Sequence, residues 1–403
     1  MSGAAPSGPL VGLRVLEAAN MAAGPFVASL LGDFGADVIK IEHPVHGDPM
    51  RQWGPFKEGI GLTWKVAARN KRLITLDLNR PRGQELFKRL VAKVDVLVEN
   101  FRPGTMERWG LGYDALCKLN PGIVMVRVSG YGQQGPYSQR PGYGTVAEAM
   151  TGIPSFTGFP DGPPVLSAFA LADTVAALFG ALGALMALVE RQRNGDSQGQ
   201  MVDVSLFEPL FRLVESQAIG YDQLGIVKQR RGNRLEEDAP RNAYRASDGV
   251  WITISASSDQ TFRRLMQAIG RPELGTDPRF ADNACRVKNQ DELDQVIAQW
   301  FAGRTCAEAE SVLEAADVVA GPIFDIEGIF AHPQYAARQA IVEVSDEAFG
   351  LLRMQGVVPK LARTPGSVRF PGQDKGAQNE AVYVGELGLS RDELASLRAD
   401  HVI

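Results

Sequence analysis

Short apolar runs rich in valine and isoleucine alternate with stretches of helical periodicity through the first 130 residues of this 403-residue chain. The runs LRVLEA, DVIKIE, RLITLDL, DVLVENF and GIVMVRVSGYG are nearly continuous in apolar character instead of alternating with polar positions. Strands read that way when helices cover both faces of their sheet, so these runs predict parallel strands. GPFVASLLGDFGA and RGQELFKRLVAKV, which lie between them, carry helical spacing. The order strand, helix, strand predicts a Rossmann-like α/β domain with a parallel sheet.

Val175 to Val189 is a run of fifteen residues with no charged or strongly polar side chain, which reads as a buried helix. It is shorter than the ~20 residues needed to cross a bilayer core, so no membrane span is expected. A strand, GQMVDVSL, and a helical stretch, FEPLFRLVESQAIGYDQLG, come next, before the polar segment VKQRRGNRLEEDAPRN, which reads as a linker or exposed loop. From Ala243 the pattern becomes AYRASDGVWITISA, two alternating runs joined at Ser247-Asp248-Gly249, the signature of a hairpin. A second, smaller α+β domain is expected from here. The tail holds two strand-like runs, AIVEVS and LLRMQGVVPKL, and a last helix opened by a capping box at Ser390 and Glu393. The expected organisation is a large domain over 1–225, a small domain over 226–330, and a C-terminal segment, 331–403, that returns to the large domain.

Length supports this division, because single cores rarely grow beyond ~300 residues. An apolar content of 45% and a charged content of 22% are those of a globular enzyme. The 42 basic and 47 acidic residues are interspersed, which argues against a nucleic-acid surface. Cys117, Cys285 and Cys306 stand far apart, which fits reduced thiols and a cytoplasmic location, and the opening MSGAAPSGPLVGL lacks the form of a secretion signal.

A dinucleotide site is the first chemistry to test on a βαβ start, but EAANMAAGPF has no G-x-G-x-x-G turn for a pyrophosphate. The four histidines, His43, His46, His332 and His401, show no metal-binding spacing, and no metal site is expected. No G-x-S-x-G elbow is present either, which leaves a carboxylate as the candidate nucleophile, acid or base. Asp173 stands out, immediately before the apolar helix. From spacing alone it reads first as a helix N-cap, and the two readings are compatible, since a helix N-terminus would also hold its charge for attack. VSGYGQQGPYSQRPGYGTVAEAMTG, rich in glycine and aromatics, reads as a ligand-binding loop after a strand or as an ordinary surface loop.

Taken in order, GLRVLE, AAGPF, FGADVIKIE, GDPMRQWGP, NKRLITLDL, DVLVENFRPGTMERWGLGYDAL, SGYGQQGPYSQRPGYG, GFPDGPP, ALAD and DPRF resemble the family III CoA-transferases across nearly the whole chain. The resemblance implies a Rossmann-type large domain with a small domain, two chains interlocked as a homodimer, and acyl-CoA as substrate with no permanently bound cofactor. It implies that Asp173, in ALAD, is the nucleophile, passing through an acyl-aspartyl anhydride and an aspartyl-CoA thioester, with succinate a reasonable donor acid.

CoA contacts carry over by the same resemblance to Ala23, Leu76, Asn100, Phe101 and Arg108. Arg72 of the NKR motif is a further candidate. Arg72 and Arg108 also read as surface charges, and Asn100 as the close of a strand. Arg140 is a candidate partner for a second carboxylate, or an exposed arginine. His43 and Asn79 stand where the family places basic residues, and Ala22 where formyl-CoA transferase has glutamine. The alternatives are an α-methylacyl-CoA racemase of the same fold, whose histidine is replaced here by Tyr143-Gly144-Thr145, and an acyl-CoA-binding protein without catalysis.

Overall fold

The computed structural model describes residues 7–195 and 197–403. Six parallel strands form the central sheet: β1 (Arg14–Ala18), β2 (Asp37–Glu42), β5 (Lys71–Thr75), β6 (Val96–Glu99), β7 (Val124–Ser129) and β8 (Met201–Ser205). A two-residue ribbon of β3 (Phe56–Lys57) and β4 (Ile60–Gly61) precedes β5. The spatial order is β5-β2-β1-β6-β7-β8. After β1 the chain builds outward on one side through β2 and β5, then returns to start β6 on the other side. The switch point therefore lies between β1 and β6, where open α/β sheets bind ligands.

Both faces of the inner strands are buried, as the continuous apolar runs predict, while the edge strand β8 is exposed at Met201 and Asp203. Leu16, paired in register with Ile39 and Leu97, points to one face, and Val15, paired with Val38 and Val96, points to the other. The first face packs against Leu86, Phe87 and Leu90 of the helix Pro81–Val91, and against Tyr383, Leu394, Leu397 and Ile403 from the end of the chain. The second face takes the helix Ala23–Asp33 and the helix Leu171–Asn194.

Leu171–Asn194 is longer than the apolar run that foretells it. It spans 24 residues and is long and apolar enough, by length and composition, to cross a membrane. The fifteen-residue reading is corrected because the helix continues through the charged turn at Glu190–Arg193, where Arg191 ion-pairs with Asp95 at 2.9 Å. Its buried face is made of small residues, among them Ala177, Gly180, Ala181 and Ala184. A Cβ on Gly180 would stand 2.8 Å from Val27, so the approach of the two helices depends on that glycine.

Contacts divide the chain into two units. The first comprises 1–153, 166–225 and 336–403, and it contains the parallel sheet together with the antiparallel pair β12 (Ile341–Asp346) and β13 (Gly350–Gln355). The second comprises 154–165 and 226–335. Its antiparallel sheet is formed by β9 (Arg241–Arg245), β10 (Trp251–Ser255) and β11 (Val319–Pro322), in the order β11-β10-β9. The hairpin turns where the sequence predicts, with Gly249 at φ +88°. Tyr244, Ile252, Phe262, Leu293 and Phe301 form this unit's own core.

Candidate active site

The helix Leu171–Asn194 runs back along the sheet from the end of β7 toward the start of β8, so its first turn lies at the carboxyl-terminal edge. Asp173 is the third residue of that helix, and Ala170 is its N-cap. The N-cap reading of Asp173 is thus corrected. The helix begins earlier because Ala172 is buried in the core and Thr174 N–H already bonds Ala170 O at 2.9 Å. The carboxylate is half-buried and, among the described residues, no cation is paired with it. Burial raises its pKa above the ordinary 3.8 and outweighs the hydrogen bond from its own backbone N–H.

Gly144, the first residue of the helix Gly144–Met150, lies directly against this carboxylate. A Cβ at Gly144 would sit 1.8 Å from Asp173 Oδ2, closer than any non-bonded atoms can approach. The glycine leaves the space that the carboxylate fills. Gly144→Ala is therefore expected to rotate Asp173 away from its present position and lower kcat about 10- to 100-fold, with a small change in melting temperature. Steady-state kinetics beside a thermal melt test this, and an unchanged kcat would show that turnover does not depend on the seat of Asp173 against Gly144.

One turn along the same helix, Glu148 is buried, and its Oε1 accepts from Ser167 N–H at 2.8 Å and from Ser167 Oγ at 2.9 Å. This ties the segment entering the Asp173 helix to the helix that carries Gly144. The glycine-rich loop between β7 and Gly144 closes where Gly130 and Gly142 meet, since a Cβ on Gly130 would lie 2.8 Å from Gly142 Cα. Arg140 lies exposed on this loop, its guanidinium 3.6 Å from the centroid of the Tyr137 ring.

At the switch point, the loops after β1 and β6 are joined by two hydrogen bonds. Asn20 N–H donates to Asn100 Oδ1 at 2.9 Å, and Asn100 Nδ2 donates to Asn20 O at 2.8 Å. Asn100 thus closes a strand end and ties the two loops at the switch point. Phe101 donates its N–H to Glu99 at 2.7 Å and meets Trp109 edge-on at 5.1 Å. Ala23 opens the helix after β1, Leu76 follows β5 with its side chain in the core, and Arg108 is exposed with its guanidinium on Thr105 Oγ1 at 2.9 Å. His43 stacks on His46 with ring centroids 4.9 Å apart, and its Nε2 lies 4.0 Å from Asp77, to which Asn79 and Arg80 also bond. Burial pulls the His43 pKa below its ordinary value.

Arg72 is not part of this edge. It is held by Asp37, at 2.8 and 2.6 Å, and by Glu386, and Asp37 is the first residue of β2. It therefore lies at the amino-terminal edge of the sheet, and its charge is consumed by two acids.

Sequence reasoning passed over a buried charge network beneath the β1 loop. Lys40 Nζ donates to Glu17 at 2.7 Å and to Ala19 O at 2.8 Å, and ion-pairs with Asp48 at 2.7 Å. Lys71 Nζ reaches Glu17 at 2.8 Å and Pro25 O at 2.7 Å, and Asp48 accepts from Met21 N–H at 3.1 Å. These bonds hold residues 19–25, with Met21 at φ +65°. The signal was the ionisable residues Glu17, Lys40 and Lys71 standing within strand segments that otherwise read as buried. Among the described residues, no group of three or more His, Cys, Asp and Glu side chains is placed to hold a metal ion.

Residues 10–377 match the family model described as CoA-transferase family III. The chain is 48% identical over its whole length to the succinyl-CoA–D-citramalate CoA-transferase of Chloroflexus aurantiacus, which is itself covered fully. It is 41% identical, again over the full length of both, to the beta subunit of the succinyl-CoA–L-malate CoA-transferase of the same organism. Among solved structures, a CAIB/BAIF family protein from Brucella suis superposes with a TM-score of 0.84 at 32% identity, covering 94% of this chain and 99% of the other.

Proposed function

The chain belongs to CoA-transferase family III and moves CoA between carboxylic acids, and from that premise we propose that Asp173 is the nucleophile, succinyl-CoA the donor and a dicarboxylic acid the acceptor. The choice of acids is supported by relatives named for succinyl-CoA with citramalate, malate and glutarate. The observation that carries the mechanism is the Asp173 carboxylate, partly desolvated at the carboxyl-terminal edge, unpaired with any cation among the described residues and seated against Gly144.

Asp173 attacks the thioester carbonyl of the donor. The C–S bond breaks, giving an acyl-aspartyl anhydride and CoA thiolate. The thiolate then attacks the Asp173 acyl carbon, forming an aspartyl-CoA thioester and releasing the donor carboxylate. An acceptor carboxylate attacks that thioester, CoA thiolate leaves again, and its attack on the acceptor acyl carbon frees Asp173 with the new acyl-CoA. Each tetrahedral intermediate carries an oxyanion, which backbone N–H groups of the glycine-rich loop can stabilise in a dry site. Ala23, Leu76, Asn100, Phe101 and Arg108 hold CoA along the sheet edge, and Arg140 is offered as the partner of the acid's second carboxylate. Incubation with succinyl-CoA followed by hydroxylamine tests the scheme. An aspartyl hydroxamate is expected on the peptide containing Asp173, and a peptide left unmodified would refute covalent catalysis there.

The working form is proposed to be an interlocked homodimer. Leu178, Leu182, Met186 and Val189 form an exposed apolar stripe at helical spacing on the Asp173 helix, supporting a partner surface there. Sedimentation at nanomolar protein is expected to show a dimer only, and a natively folded monomer on dilution would count against interlocking. The three free cysteines support a cytoplasmic site of action.

A further inference from the structure

We propose that the second unit carries its own binding pocket for a small oxyanion, formed by Arg231, Lys288 and the buried amide of Gln290. The pocket has a volume of about 500 Å³ and is lined wholly by residues of that unit. It is built from three segments distant in sequence, 159–160, 230–242 and 287–291. Gly158 and Gly232 pair as an isolated bridge, and a Cβ on Gly232 would lie 2.8 Å from the Phe159 ring, so the bare glycine lets Phe159 close down on the basic segment.

Gln290 is only 4% exposed, and its Nε2 has no hydrogen-bond partner. Buried amide donors are almost always paired, so this one calls for an acceptor in the pocket that it lines. The charge around it has the matching sign. Arg234 is neutralised by Asp291 and Asp294, each at 2.6 Å. Arg230 donates to the carbonyls of Ser155, Phe159 and Gly162 at 3.4, 3.3 and 3.0 Å, contacts that leave its charge uncompensated. Arg231 and Lys288 are exposed and enter no ion pair among the described residues.

A buried neutral donor beneath free cations, with Phe159 and Pro160 as an apolar wall, suits a compact ligand that ends in a carboxylate or phosphate. Two sources share that chemistry: a short dicarboxylic acid, and the phosphates of CoA. The proposal does not depend on Asp173 chemistry, since it concerns binding in a unit that lacks Asp173.

Calorimetric titration of the full chain at constant ionic strength, without acyl-CoA, separates the outcomes. The probes are succinate and adenosine 3′,5′-bisphosphate. Affinity for one of them is expected to fall at least tenfold in Gln290→Leu and in the double variant Arg231→Ala/Lys288→Ala, with the unliganded melting temperature unchanged in the latter. Loss of succinate binding identifies the acid as the ligand, and loss of the nucleotide identifies CoA phosphate. The double variant alters exposed side chains only, so it decides the matter even where Gln290→Leu misfolds. Equal affinity for both probes in parent and double variant, or no saturable binding of either by the parent, overturns the proposal.

Discussion

Asp173→Asn is expected to lower CoA transfer by roughly 10⁴-fold or more while leaving the fold intact. Asparagine keeps the size of the side chain in the first turn of the helix Leu171–Asn194 but has no anionic oxygen to attack a thioester. Stability should hold, because burial raises the Asp173 pKa above 3.8. A raised carboxylate pKa means that the folded state disfavours the charged form at neutral pH, so exchange for a neutral amide is neutral or slightly stabilising. The same shift sets the pH profile of the parent enzyme. Attack needs the carboxylate ionised, so the rate should fall as pH drops through a value above the ordinary 3.8, a limb that reports Asp173 directly. Initial rates of CoA exchange read by mass spectrometry, beside thermal melts, test both statements. An Asp173→Asn variant that transfers CoA within tenfold of the parent rate would remove Asp173 from the mechanism.

The second large effect is on stability. Lys40→Met should destabilise the first unit by about 3–5 kcal/mol, because it removes one partner from a buried ion network and leaves Asp48 without its cation. Lys40 is 1% exposed, and Glu17 and Asp48 are equally inaccessible. Attraction to Glu17 and Asp48 outweighs burial and raises the Lys40 pKa far above its ordinary value, while the ammonium holds the Asp48 carboxyl below 3.8. The linkage follows from those directions. The contribution of Asp48 is present at neutral pH and is lost as pH falls through the carboxylate range, whereas that of Lys40 persists to strongly alkaline pH. Lys40→Met/Asp48→Asn removes the stranded charge and should recover part of the loss. Urea unfolding of the three proteins tests this, and a midpoint for Lys40→Met equal to that of the parent would mean that water reaches the site and solvates Asp48. The KM for acyl-CoA should rise as well, since Ala19 O loses its donor and Asp48, which accepts from Met21 N–H, loses the cation that holds it beneath the loop leading to Ala23.

The elements that sequence reading placed well are those whose burial is uniform along the segment. LRVLEA, DVIKIE and VLVE are strands in register because their valines, isoleucines and leucines meet an apolar layer above or below, and that requirement is written in those residues. The Ser390 capping box and the Gly249 turn are equally local, since their partners lie within a few residues. Arg72 is the contrary case. A cation after NK gives no sign of which end of the strand it occupies or which acids will claim it, and Glu386 lies 314 positions away.

The amino-acid order by itself determined that the protein is an α/β enzyme of CoA-transferase type, and it singled out Asp173, because an acid at the mouth of an uncharged helix is costly unless it is used. Only the tertiary structure decided what surrounds that acid. The seat of the carboxylate against Gly144, the tie from Glu148 to Ser167, and the neutralisation of Lys40 by Glu17 and Asp48 all join residues that lie on different elements. Periodicity records whether a side chain is buried, which is a property of one position. Which group pairs with which is a property of two positions, and it arises only when strand order and helix packing bring them within hydrogen-bonding distance.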